Sequence, residues 1–129
     1  MIVVDTSAVV AIIRGEPEEQ RLLAKLMEAD GALMSAGSVL ELQLAFAGKS
    51  ENTVWPDVGN FLRIYRVSIR PFDERQLGFA REAAVRFGKG RHKAKFNYGD
   101  CFAYALARAE GVPLLCTGRD FAATDVKIA

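Results

Sequence analysis

The chain has 129 residues, a net charge of +1, 50% hydrophobic residues and 26% charged residues. This size favours one domain spanning residues 1–129, and so small a net charge means that a nucleic-acid partner has to be indicated by local charge. Cys101 and Cys116 lie outside any CxxC spacing, which favours two buried free thiols over a disulfide or a metal site. The sequence shows no signal peptide and no apolar run of about 18 residues, which predicts a cytoplasmic protein without a membrane segment.

The N-terminal segment predicts a strand followed by two helices. Residues 2–4 form a β-branched run typical of a strand, and residues 8–13 form an apolar stretch typical of a helix. Residues 15–17 break that helix, and Pro17 suits the first turn of the next one. Gly31 ends the second helix, whose apolar residues repeat at helical spacing: Leu22, Leu23, Leu26 and Met27.

The next segment predicts one strand and two more helices. Residues 32–34 are a short candidate strand, and residues 35–38 lead into an apolar helix that Gly48 closes. Residues 49–53 are predicted to be a polar link. The helix after this link carries a single apolar stripe, made of Val54, Val58, Phe61, Leu62 and Tyr65.

A third strand is predicted at residues 67–72, where Pro71 indicates either its end or an edge position in the sheet. Residues 73–87 predict a helix whose inward residues are Leu77, Ala80, Ala84 and Phe87. Residues 88–97 then form a glycine-rich basic loop. The periodic apolar pattern of the helix ends there, and glycine and basic residues follow.

The C-terminal segment predicts an alanine-rich helix at residues 98–110, capped by Gly111, and a strand at residues 113–117. Residues 126–128 predict a short last strand. Strands separated by helices indicate an α/β fold, with a central, mostly parallel sheet of about four to five strands flanked by helices.

Four acidic residues fall where an apolar segment ends or a helix begins: Asp5, Glu41, Asp100 and Asp120. Each has a structural alternative: a helix N-cap, a turn, or a capping arrangement in Ser38-x-x-Glu41 and Asn97-x-x-Asp100. Strand ends and helix starts share one rim of a parallel α/β fold, so the four acids are predicted to meet there. Carboxylates so close together would repel each other strongly, and oxygen ligands with few histidines suit Mg²⁺ or Mn²⁺.

Parts of the chain resemble the PIN-domain ribonucleases, most closely the VapC-type toxins of bacterial toxin–antitoxin pairs. The resemblance rests on IVVDTSA at residues 2–8, Glu41 in its helix, NYGDCFAYALA at residues 97–107 and PLLCTGRDF at residues 113–121. It covers essentially the whole chain in the same order. It implies a PIN-like three-layer fold and metal-dependent hydrolysis of RNA, with tRNA or another structured RNA as the substrate.

The resemblance also implies roles for individual residues. Asp5 and Asp100 would bind Mg²⁺ or Mn²⁺ directly, and Glu41 and Asp120 would complete the site directly or through water. The positions that would support these acids are Thr6, Thr117 and Asp125. The resemblance further implies a cognate VapB-type antitoxin and a homodimer.

A cluster of positive charge precedes Asp100 in the sequence. Its members are Arg86, Lys89, Arg91, His92, Lys93 and Lys95. A solvated loop would explain this composition, but the position of the cluster favours contact with RNA phosphates. Because His92 is the only histidine, cleavage by a pair of histidines is disfavoured.

Three other functions are weighed against this interpretation. An aspartyl phosphatase-like hydrolase usually has a second acid two residues after the first, where this chain has Ser7. A receiver-like signalling domain needs a phosphorylatable Asp after a central strand, whereas Asp57 lies in a predicted helix. A catalytically inactive RNA-binding or partner-binding module of the same fold stays open, because acids can be retained for stability.

Overall fold

The centre of the protein is a parallel β-sheet, seen in a computed structural model that describes residues 1–46, 51–88 and 96–129, with the backbone alone for residues 51–55. The strands of these described residues are β1 (Ile2–Val4), β2 (Ala32–Ser35), β3 (Val67–Arg70) and β4 (Leu114–Leu115). Their order across the sheet is β3-β2-β1-β4, and every pairing is parallel. The predicted α/β class and parallel sheet are therefore confirmed.

Helices connect the strands and cover the sheet. They are α1 (Thr6–Ile13), α2 (Glu19–Glu28), α3 (Ala36–Ala45), α4 (Glu51–Ile64), α5 (Glu74–Phe87) and α6 (Tyr98–Glu110), with a short 3₁₀ helix at Phe121–Ala123. Gly111 caps α6 in the left-handed conformation, with a φ of 66°, as predicted. No helix in the described part of the chain has both the length and the apolar character needed to cross a bilayer.

Both faces of the sheet are buried. Val4 and Met34 face a core shared with α1, α2, α3 and α4, whereas Val3 and Leu33 face a second core shared with α5 and α6. Because successive side chains of a strand point to opposite faces, strands buried on both sides have uninterrupted apolar sequences. This explains why β1 has no polar residue until Asp5, at its carboxyl end.

Several predicted boundaries are corrected. The prediction of a polar link at residues 49–53 is wrong in part, because α4 begins at Glu51. The third strand ends at Arg70, and its position at the sheet edge agrees with Pro71 following it. The strand predicted at residues 113–117 is reduced to Leu114–Leu115. The last strand is an isolated bridge between Ile128 and Leu114.

The buried face of α5 also differs from the prediction. Leu77 and Ala84 are exposed, while Gln76 and Ala83 are buried beside the correctly predicted Ala80 and Phe87. The side-chain amide of Gln76 donates to the Pro71 carbonyl oxygen at 3.0 Å, while its Oε1 atom is buried without a hydrogen-bond partner among the described residues. Hydropathy assigns glutamine to the surface and carries no information about the hydrogen bond to Pro71.

The two cysteines are free thiols, as predicted; Cys116 is buried and Cys101 is half-buried.

Candidate active site

Asp5 stands at the junction of β1 and α1 and is 4% exposed. Its Oδ2 atom accepts a hydrogen bond from the Ser7 amide at 3.0 Å, so Asp5 is the N-cap of α1. Its Oδ1 atom is buried and has no hydrogen-bond partner among the described residues. Half of this carboxylate therefore serves as the helix cap, and the other half is available to a ligand or a proton.

The environment of Asp5 disfavours its charged form. Burial raises the pKa of Asp5 to about 6, against the opposing effect of the Ser7 hydrogen bonds. The negative charges of Asp100 and Glu41 raise the pKa further. An acid that is buried beside other acids in this way is a common feature of functional sites.

Asp100 lies in the first turn of α6 and forms the predicted capping box with Asn97. Its amide donates to Asn97 Oδ1 at 3.0 Å, and its Oδ2 accepts from the Asn97 amide at 3.1 Å. Burial raises the pKa of Asp100, the Asn97 amide opposes this shift, and Glu41 and Asp120 add to it. Asp100 is therefore a helix cap and at the same time a member of a cluster of interacting acids.

Glu41 is not the capping residue that its sequence context allowed. The N-cap of α3 is Ser35, whose hydroxyl accepts from the Gly37 amide at 3.2 Å, and Ser38 lies inside the helix. Glu41 instead lies against Gly99, where an added Cβ atom would overlap its carboxylate. The capping alternative for Glu41 is therefore wrong, and its side chain points toward the start of α6.

Asp120 is exposed and precedes the 3₁₀ helix without forming a side-chain cap. It is close enough to Asp100 to raise the pKa of that carboxyl. Electrostatic contact thus links all four predicted acids: Asp5, Glu41, Asp100 and Asp120.

Hydroxyl groups tie together the chain segments that carry these acids. Thr6 Oγ1 donates to the Ser38 carbonyl oxygen in α3 at 3.1 Å, and the Thr117 amide donates to Ser7 Oγ at 3.1 Å. The hydroxyls of Thr6 and Ser7 therefore link the start of α1 to α3 and to the segment after β4, whereas Thr117 takes part through its backbone amide. Ser7 is not among the predicted site residues, although an Asp N-cap two residues before it predicts that its amide is a capping donor.

Asp125 belongs to a different cluster. Its Oδ1 accepts from the Tyr104 hydroxyl at 2.7 Å, and its Oδ2 accepts from Arg108 at 2.7 Å and from Arg86 at 3.3 Å. Burial opposes ionisation of Asp125, but these donors outweigh it and lower its pKa. Asp125 thus connects α5, α6 and the C-terminal segment, apart from the four acids.

The predicted basic cluster lies mostly outside the described residues, which include only Arg86 of its six members. Arg86 pairs with Glu82 at 3.0 Å and with Asp125, and its guanidinium lies 4.7 Å from the centre of the Phe87 ring. Its described contacts are therefore with protein groups on α5 and the C-terminal segment.

The donor set of the acidic cluster suits a hard divalent cation. It consists of carboxylate oxygens, one of them the buried Asp5 Oδ1 atom that lacks a partner in the described part of the chain. A cation would pair this oxygen and relieve the repulsion that raises the pKa of Asp5 and Asp100. Among the described residues, no three acidic, His or Cys side chains already stand in coordinating positions.

The chain is similar to known proteins over its whole length. Residues 2–127 match the PIN domain family model. Ribonuclease VapC of Mycolicibacterium smegmatis is 40% identical over 124 residues, which cover 96% of each chain. Ribonuclease VapC30 of Mycobacterium tuberculosis is 39% identical, over 96% of this chain and 95% of that protein.

Solved structures share the fold at lower identity. VapBC2 from Rickettsia felis, bound to a DNA fragment from its promoter, matches with a TM-score of 0.78 and 17% identity, covering 100% of this chain and 98% of that one. Mycobacterium tuberculosis VapC20, described as a toxin that cleaves the sarcin–ricin loop, matches with a TM-score of 0.77 and 18% identity over the same shares. At such identities the comparison establishes the three-dimensional fold alone.

Proposed function

This chain belongs to the PIN-domain family and, within it, to the VapC ribonucleases, and from that premise we propose that it is a metal-dependent endoribonuclease. We further propose that it is the toxin of a type II toxin–antitoxin pair, inhibiting translation by cleaving tRNA or another structured RNA. The observation that carries the metal-dependent chemistry is the buried Asp5 carboxylate, whose free oxygen lies in a cluster with Asp100 and Glu41.

In this proposal Asp5 and Asp100 bind Mg²⁺ or Mn²⁺ directly, while Glu41 and Asp120 bind it directly or through water. A cation held by these residues would lower the pKa of a water molecule and offset charge on the phosphate oxygens. Backbone amides fix one oxygen each of Asp5 and Asp100. The Ser7 amide holds Oδ2 of Asp5 at 3.0 Å, which leaves Oδ1 for the ion.

At the start of α6, Asp100 also has one oxygen in a capping hydrogen bond and one outside it. The Asn97 amide holds Oδ2 of Asp100 at 3.1 Å and leaves the other oxygen outside the capping box. Gly99 gives the Glu41 carboxylate room beside the helix start. The amides and the dipole of that helix end favour negative charge, which partly offsets the cost of placing two carboxylates there.

An acidic site needs positive charge nearby to attract RNA. We propose that the basic cluster supplies it, through Lys89, Arg91, His92, Lys93 and Lys95, with Arg86 at its border. Support comes from its position in the sequence, directly before the helix that carries Asp100. Contacts of this kind give affinity that falls with salt and is largely independent of RNA sequence.

Further proposals concern the location, the oligomeric state and the protein partner of the enzyme. We propose a cytoplasmic, single-domain protein of residues 1–129 that forms a homodimer and is inhibited by a VapB-type antitoxin. The antitoxin partner is supported by the structural neighbours, which include VapBC2 and the FitAB complex bound to a DNA fragment.

Incubation of the purified protein with total cellular RNA and with bulk tRNA tests the proposed activity. Defined cuts are expected with Mg²⁺ or Mn²⁺, and a chelator should abolish them. Sequencing of the cut ends identifies the RNA target. Cleavage that continues in the presence of chelator would exclude the metal-dependent mechanism, and no cleavage of any RNA would favour the inactive binding module.

A further inference from the structure

A cleft of about 290 Å³ opens directly beside Glu41, between the helices α3 and α6. Its lining consists of Gly37, Leu40, Glu41, Leu44, Asn97, Tyr98, Gly99 and Phe102. Three of the large side chains in this lining are strongly exposed: Leu40 at 66%, Leu44 at 69% and Tyr98 at 83%. Apolar side chains exposed together around a concave surface are typical of binding sites.

Tyr98 is the most exposed of these side chains, and its position is nevertheless defined. It is the first residue of α6, directly after the Asn97 cap. Its ring meets that of Phe102 edge to face, with centroids 5.0 Å apart and an interplanar angle of 90°. Phe102 is held in turn by Phe72, at 4.9 Å, and by Gly37, where an added Cβ atom would overlap the Phe102 ring.

This arrangement gives Tyr98 a support on one side and open space on the other. An aromatic ring held in one place by its neighbours loses little conformational entropy when a flat partner binds to it. The ring is also amphipathic, because its hydroxyl can stay in water while its face takes part in stacking. These are the properties of a stacking platform for a planar ligand.

The platform adjoins the acidic cluster. Gly99, between Tyr98 and Asp100 in the sequence, lines the cleft and lies against the Glu41 carboxylate. Glu41 belongs to both places, since it lines the cleft and raises the pKa of Asp5 and Asp100. A nucleotide whose phosphate lies at the acids therefore has its base within reach of the cleft.

We propose that Tyr98 stacks on the nucleobase next to the phosphate that is cleaved, and that the Leu40–Leu44 side of the cleft encloses this base. This inference rests on the proposed ribonuclease function. Charge supports a base as the occupant, because the residues that line the cleft offer no positive charge to a phosphate and include the carboxylate of Glu41, whereas a base is neutral and flat. Stacking of this kind accepts any base and thus fixes position more than sequence.

Cleavage of a short RNA oligonucleotide that contains the mapped cut site tests the proposal. Matched oligonucleotides carry an abasic nucleotide immediately before or after the scissile phosphate. Tyr98→Ala is compared with Tyr98→Phe, which keeps the ring, and with Met27→Ala, which shortens an equally exposed apolar side chain on α2. Circular dichroism and thermal melting establish that each variant is folded.

Tyr98→Ala should lower kcat/KM on the intact oligonucleotide by roughly 5- to 150-fold, the range that corresponds to one lost base–aromatic stack. Tyr98→Phe should stay within about threefold of wild type because it retains the stacking face, and Met27→Ala should cleave normally. On one of the abasic oligonucleotides wild type should lose activity to a similar extent, and Tyr98→Ala should cause no further loss.

Several results would overturn the inference. One is a kcat/KM of Tyr98→Ala equal to that of wild type. Another is a decrease in kcat/KM for Tyr98→Phe as large as the decrease for Tyr98→Ala. A Tyr98→Ala defect of full size on both abasic oligonucleotides would exclude stacking on either neighbouring base. Normal RNA cleavage combined with weakened antitoxin binding would assign the cleft to a protein partner. If wild type cleaved no RNA, the proposed function itself would fail, whereas the other results leave that function intact.

Discussion

Gly99 in α6 lies against the carboxylate of Glu41 in α3, so closely that a Cβ atom on Gly99 would overlap the carboxylate oxygens. This contact brings an acid from one helix to the N-terminal turn of another, beside Asp100. Backbone amides and the positive end of the helix dipole favour a carboxylate at such a position. The missing side chain at Gly99 is therefore part of how the acidic cluster is built.

Gly99→Ala should displace Glu41 while slightly improving the helix propensity of α6. We expect cleavage to fall at least about tenfold, because misplacing an active-site group by about 1 Å can cost about 100-fold. The free energy of unfolding should change by less than about 1 kcal/mol, because the carboxylate lies at the end of a flexible side chain that can move aside. RNA cleavage rates and urea denaturation measure the two effects.

The matched control for this variant is Gly78→Ala in α5, where an added Cβ atom meets nothing within 4 Å. It should leave cleavage unchanged and raise the free energy of unfolding by roughly 0.5–1 kcal/mol, the usual gain from replacing a helical glycine. If Gly99→Ala cleaved RNA as fast as Gly78→Ala, the contact with Glu41 would have no part in activity.

Asp5→Asn and Asp100→Asn should each reduce RNA cleavage by at least about 100-fold, because each removes a charged ligand of the proposed cation. Both variants should remain folded, since an amide oxygen can still accept the capping hydrogen bonds. Cleavage assays are paired with melting curves in which Mn²⁺ is expected to raise the Tm of wild type more than that of either variant. Normal cleavage by both variants would exclude the proposed metal site.

The free energy of unfolding of the metal-free protein should depend on pH through the ionisation of Asp5. Burial raises the pKa of Asp5 from its ordinary value of 3.8 to about 6. Between these two values the folded chain keeps a proton that the unfolded chain has released, so the free energy of unfolding falls as pH rises. A shift of about two units corresponds to about 3 kcal/mol at most.

Asp5→Asn removes this titration, so its stability relative to wild type should increase from pH 4 to about pH 7 and then level off. Urea denaturation of both proteins in the presence of chelator, at several pH values, measures the difference. Parallel stability curves for the two proteins across this range would mean that Asp5 titrates normally.

The sequence predicts the strands and helices of this fold well because both cores depend on periodic apolar residues. The predicted buried face of α5 is wrong because Gln76 is buried and donates a hydrogen bond to Pro71, about which hydropathy contains no information. The strand predicted at residues 126–128 is wrong for a related reason, since the pairing of Ile128 with Leu114 is a tertiary contact and is limited to one bridge.

At the acidic cluster the sequence could identify residues but could not separate their roles. Capping and clustering with other acids were treated as alternatives for Asp5 and Asp100, yet each carboxylate takes part in both. For Glu41 the choice depended on where α3 begins, and the cap at Ser35 decides it. The place of Asp125 followed only from the tertiary contact with Tyr104 and Arg108.

Asp125→Ala should lower stability while leaving the active site intact. The variant removes the acceptor of the buried Tyr104 hydroxyl and of Arg108. Because the Asp125 side chain is 38% exposed, solvent screening limits the loss in unfolding free energy to about 1–2 kcal/mol. Cleavage by the folded variant should remain within about threefold of wild type, since the described contacts of Asp125 are with Tyr104, Arg86 and Arg108.

Glu82→Ala is the control for Asp125→Ala, because it removes one exposed ion pair with Arg86 and should cost no more than about 0.5 kcal/mol. Urea denaturation measures the contribution of Asp125 to stability, and cleavage assays at saturating metal measure its contribution to catalysis. A loss of cleavage above about tenfold in an Asp125→Ala protein of normal stability would place Asp125 in the active site.

Charge reversal in the basic cluster should weaken RNA binding and reduce its dependence on salt. We expect Arg91→Glu combined with Lys93→Glu to raise the Kd for RNA of any sequence, and to lower the slope of log K against log salt by about 0.7 per lost phosphate contact. An Asp100→Asn background prevents cleavage during the titration. The control is Lys25→Glu with Arg63→Glu, which makes the same change in net charge at exposed positions on α2 and α4. A salt slope equal to that of the control would mean that Arg91 and Lys93 are solvated and make no contact with RNA.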